Sequence, residues 1–155
     1  MTSADTAVRA SRRPHWFPRA IGVVGGVSFL AFGVWAMVGP ESFFDAVATF
    51  EPYNQHFVQD VGVFQIGLGA VLLLAAIPAG ADALAVGLIG VGIGSAAHTV
   101  SHVVGRNLGG TPEADIPFSI VLTVLLLAGG LVRSRERASS SGSERSTRVT
   151  RRTSA

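Results

Sequence analysis

The sequence predicts an all-α polytopic membrane protein, a bundle of four transmembrane helices. Three observations carry that prediction. Of 155 residues, 48% are hydrophobic and 14% charged, where a soluble domain carries about a quarter charged residues. Mean hydropathy is +0.47. The charges also leave four long stretches empty: residues 20–40, 61–81, 83–105 and 116–132, which are 21, 21, 23 and 17 residues long. A hydrocarbon core about 30 Å thick takes about 20 helical residues, with about 17 as the lower limit.

The elements follow in order. Residues 1–15 form a basic tail with nothing to bury. The first span, about 18–39, begins beside Trp16 and Phe17 and ends beside Trp35, placed as interfacial anchors are. Its apolar run exceeds a signal-peptide core and no A-x-A site follows, so it reads as an anchor. Pro40-Glu41-Ser42 then opens a segment in which Phe43, Phe44, Val47 and Phe50 recur at helical spacing, predicting a short surface helix ended by Glu51-Pro52. The second span, about 57–78, turns at Pro78-Ala79-Gly80 into the third, about 82–104. Gly105-Arg106-Asn107-Leu108-Gly109-Gly110 reads as a turn in which Arg106 pairs with Asp115 or, alternatively, meets an anionic headgroup or substrate. Asp115-Ile116-Pro117 reads as the cap and early proline of the fourth span, about 115–134, whose end Arg133 and Arg135 extend by snorkelling. The membrane domain is thus 16–134, and 135–155 is an Arg/Ser-rich tail predicted to lack structure.

Charge gives the orientation. The N-terminal tail through Arg19 nets +3 and the C-terminal tail from Arg133 nets +5, while the first loop with Asp60 nets −4 and the third −1. Positive-inside logic puts both tails in the cytoplasm. All 12 basic residues are arginine, which with abundant Ala, Gly and Val points to a GC-rich bacterial genome and an inner-membrane location. The basic tail lacks interleaved aromatics, so anionic lipid headgroups are its expected partner and nucleic acid is not.

In lipid, small residues mark where helices approach. The first helix carries Gly22-x-x-x-Gly26 and Gly33, a face that also suits association with a second copy or a partner subunit. The third carries Gly87, Gly90 and Gly94, continuing into His98 and His102. On the second, His56, Asp60, Phe64 and Gly67 share a face. If the second and third helices lie side by side, His56, Asp60, His98 and His102 converge under the outer surface. His98 and His102 have the spacing that lets two imidazoles share a ligand. With His56 or Asp60 they supply enough donors for zinc or another borderline divalent metal. A bis-histidine haem, with one axial ligand from each helix, is the other cofactor the pattern admits. Two other readings stand beside this: the groups bond only to one another, to the third loop and to interfacial water, or they form a proton- or ligand-linked site. His15, in the tail, stands apart.

Enzyme classes fall away. Zero cysteines exclude disulfides, thiol chemistry and Cys-ligated metals. There is no G-x-S-x-G, a chain without lysine has no phosphate loop, and the histidine pair lacks the glutamate of a zinc protease. A proton-coupled carrier would need a polar path, and the cytoplasmic halves of the spans hold almost no polar side chains. A small structural or accessory membrane protein is the expected class.

The segments Gly39-Pro40-Glu41-Ser42-Phe43-Phe44 and Asn54-Gln55-His56, with Gln59-Asp60-Val61-Gly62 after them, resemble the small four-helix bacterial membrane proteins grouped as DoxX-like or as domains of unknown function. The resemblance spans about residues 16–134. It implies the four-span fold, and it brings neither a catalytic motif nor a uniform activity.

Overall fold

The computed structural model describes residues 16–77 and 81–153. The tail 1–15 and the turn at 78–80 lie outside them. Among the described residues there are five helices and no strands: α1 (Trp16–Val38), α2 (Pro40–Ala46), α3 (Gln55–Ala76), α4 (Ala81–Val104) and α5 (Pro112–Thr153). α1, α3, α4 and α5 are each long and apolar enough to cross a membrane.

Local chemistry sets the ends. Pro40 starts α2, where its missing N–H costs nothing. Asn54 caps α3, its side-chain oxygen accepting from the Phe57 amide at 3.1 Å. α5 starts at Pro112, three residues before the predicted cap, and Pro117 is accommodated inside the helix. The helix also continues through Thr153, where the sequence predicts an unstructured tail from 135. A chain leaving a preformed helix needs no new nucleus. Just past the apolar stretch, Arg133 Nη1 donates to Glu136 at 3.3 Å, and the hydroxyls of Ser134 and Ser139 bond carbonyls one turn back.

Two helix pairs are tight: α1 with α3, and α4 with α5. The α1/α5 and α3/α4 contacts are looser. In the first pair backbone meets backbone. A Cβ on Gly33 would lie 2.6 Å from the Gly62 carbonyl oxygen, and one on Gly69 would lie 2.7 Å from that of Gly26. In the second, Gly92 admits Leu127 and Gly130 admits Ile89. The core between the pairs is Leu72, Ala76, Leu84, Leu88, Val91 and Leu126.

A second cluster, Ala36, Phe43, Phe44 and Val58, lies where α2 folds back on α1 and α3. α2 therefore does more than rest on a surface: Phe43 and Phe44 are buried. It also ends at Ala46, earlier than predicted, which frees Phe50 for a different contact.

Candidate functional site: a histidine cap at the end of α4

The helical repeat brings His98 and His102 together on successive turns of α4. Their Nε2 atoms are 3.0 Å apart, with the rings close to perpendicular at 81°. At that distance they share one proton, one Nε2 donating and the other accepting. The other ring nitrogen of His102, Nδ1, lies 4.0 Å from Asp115 Oδ2 on α5. This is longer than a hydrogen bond, and it sets the Nδ1 edge of the ring towards the carboxylate.

Asp115 is itself fixed. The Thr111 amide donates to Oδ2 at 2.9 Å and the Thr111 hydroxyl to Oδ1 at 3.1 Å, closing the first turn of α5. A carboxylate there also suits the positive end of the helix. Arg106, expected to pair with Asp115, does not appear among its partners; Thr111 and His102 hold it instead. The remaining wall comes from the first loop. The Phe50 ring meets His102 edge-on at 6.1 Å between centroids, and the Gly110 amide donates to the Thr49 carbonyl at 3.1 Å. Gly109 and Gly110 take φ of +125° and +80°, a left-handed turn that glycine alone enters cheaply. Just below, the Thr99 and Thr123 hydroxyls meet at 3.2 Å across the α4/α5 contact.

His56 and Asp60 do not join this cap. They pair with each other on α3 at 3.6 Å, with side chains 87% and 55% exposed. Among the described residues, no group of three or more His, Asp or Glu side chains is placed to hold one metal ion. The expected convergence of four residues is thus corrected to two separate pairs, and the reason is the packing of α3. That helix gives α1 its Gly62 and Gly69 face, which turns the face with His56, Asp60, Phe64 and Gly67 outward; Phe64 is 76% exposed and nothing lies near a Cβ on Gly67. On α4, only Gly87 of the three predicted glycines packs, against Ala75 and Val71, while Gly90 and Gly94 meet nothing.

Thr111 was not singled out from the sequence, and Phe50 and Gly110 were read only as parts of a surface helix and a turn. For Thr111 the signal was present, since Thr-Pro-Glu is a capping residue followed by a first-turn proline and an acid. No family model matches the chain, and neither a curated protein nor a solved structure was found to match it.

Proposed function

We propose that the chain is a small accessory protein of a bacterial cytoplasmic membrane, with both tails in the cytoplasm and the histidine cap at the outer face. The observation that carries this reading is the division of charge around four apolar spans. Basic residues gather at both chain ends and acidic ones in the loops bearing α2 and the cap. The resemblance of residues 39–44 and 54–62 to DoxX-like proteins belongs to the same reading and adds no activity to it.

An accessory protein works through lateral contact with another transmembrane segment, a second copy or a partner subunit. The first helix, expected to offer its glycines for this, does not have them free: Gly22, Gly25, Gly26 and Gly33 are all buried within the bundle. The surface left for close approach is on α4, where Gly90, Gly94, Ala97 and Ser101 face outward. Light scattering on the protein in mild detergent tests this. Wild type is expected as a discrete assembly, of itself or with a stoichiometric partner, and Gly90→Leu/Gly94→Leu as a folded single chain. A wild type already monomeric and alone, or an assembly indifferent to both leucines, would overturn the lateral contact.

A further inference from the structure

We infer that His98 and His102 form a two-nitrogen clip for one borderline divalent transition-metal ion, with Asp115 behind the clip as its orienting carboxylate. Metal–imidazole bonds are about 2.0–2.1 Å long, so two ligands on one ion at tetrahedral or right angles stand about 2.9–3.4 Å apart. The Nε2 atoms of His98 and His102 are 3.0 Å apart, within that range. The ion would take the place of the shared hydrogen bond: the donating ring gives up its Nε2 proton and takes one back at Nδ1 through solvent, so both rings ligate through Nε2 as neutral imidazoles.

Three further features prepare the pair for a ligand. Metal-bound histidines are commonly held by a carboxylate at the ring nitrogen that does not ligate, and Asp115 lies on the Nδ1 side of His102. The two bonds from Thr111 that close the first turn of α5 also fix that carboxylate in place beside His102. The Phe50 ring closes on His102 from a loop tied to Gly110, so the ring orientation is set from three chain segments. His102 is held inward, its side chain 16% exposed, while His98 lies on the exposed surface of the bundle, where the remaining coordination positions are not blocked by the protein. His98 lies six residues before the end of α4, about 9 Å along the helix axis. An all-nitrogen pair selects copper(II), nickel(II) or zinc, and excludes magnesium and calcium, which require oxygen.

The test is a calorimetric titration of the full chain in detergent, purified without a polyhistidine tag, with zinc, nickel or magnesium chloride. Wild type is expected to take one zinc or nickel ion per chain and no magnesium. His98→Gln and His102→Gln should each weaken binding at least tenfold. Asp115→Asn should weaken it about 10- to 100-fold through the orientation of His102 alone. His56→Gln, in the separate pair, should bind as wild type does. Paramagnetic resonance of a copper(II)-loaded sample should show two imidazole nitrogens, a signature that a merely structural pair does not produce. Circular dichroism keeps the comparison among folded variants. Saturable zinc binding absent from wild type, or surviving in the His98→Gln/His102→Gln variant, would overturn the clip, as would a copper signal with fewer than two nitrogens.

Discussion

Gly110 shows how far the outer end of the molecule depends on single residues. Its φ of +80° lies in the left-handed region, and a Cβ there would come within 2.9 Å of Phe50 Cζ. Gly110→Ala should cost about 1–2 kcal/mol from backbone strain alone and loosen Phe50 from His102, which a thermal denaturation series in detergent would register. Tyr53, the single tyrosine of the chain, offers a second test in the same region. Desolvation raises its pKa above the ordinary 10.0, and the carboxylates of Glu41 and Asp45 push in the same direction. The folded state therefore holds the phenol proton more tightly than the unfolded chain does. This group leaves stability unchanged below about pH 10 and lowers it as pH rises through the folded value. An absorbance titration of tyrosinate should give a midpoint above 10 that moves down in Glu41→Gln/Asp45→Asn; a midpoint at the ordinary value would contradict the placement of the ring. Of the cap residues, His98 and His102 were legible because four is a helical repeat. Phe50 was not: its partner is 52 positions away in sequence, and only the loop geometry brings them together.

At the scale of the helix, glycines fall into two classes that spacing alone does not separate. Gly33 and Gly69 lie against backbone of the facing helix, whereas Gly67, Gly90 and Gly94 have no heavy atom within 4 Å of the Cβ position. Gly33→Ala and Gly69→Ala should each destabilise by about 1–3 kcal/mol, since the α1/α3 backbones must part. Gly67→Ala, and Gly90→Ala in the dissociated single chain, should be neutral or stabilising by about 0.5–1 kcal/mol, the gain from replacing a helical glycine that meets nothing within its own bundle. Unfolding midpoints of these four variants should split two and two; equal losses across all four would refute the assigned faces. The sequence left this open for a physical reason. In water the apolar face of a helix identifies its buried side, but a membrane helix is apolar all round, so Gly62 and Gly69 compete with Gly67 for the same role. That ambiguity is what turned His56 and Asp60 away from the cap, because the face chosen by α1 fixes where the rest of α3 points.

Taken whole, the molecule is two tightly packed helix pairs joined around a leucine-rich core, with α2 and the histidine cap at one end and the Arg133–Glu136 pair towards the other. The four spans were legible because charge marks their limits: residues 61–81 and 83–105 are separated by Asp82 alone. Their extents shifted by a few residues where capping decided, as at Thr111-Pro112. The length of α5 was not legible, since composition read its Arg/Ser-rich end as unstructured without weighing the helix already formed before it. In the proposed orientation, four spans leave both tails on one side of the membrane and the cap on the other. That orientation is tested most directly by single-cysteine accessibility, for which a chain with no native cysteine is well suited. In intact cells, a membrane-impermeant maleimide should label Asn107→Cys beside the cap, and should label Ser3→Cys and Ser143→Cys only after the membrane is opened. Labelling of either tail in sealed cells, or protection of Asn107→Cys, would contradict the account.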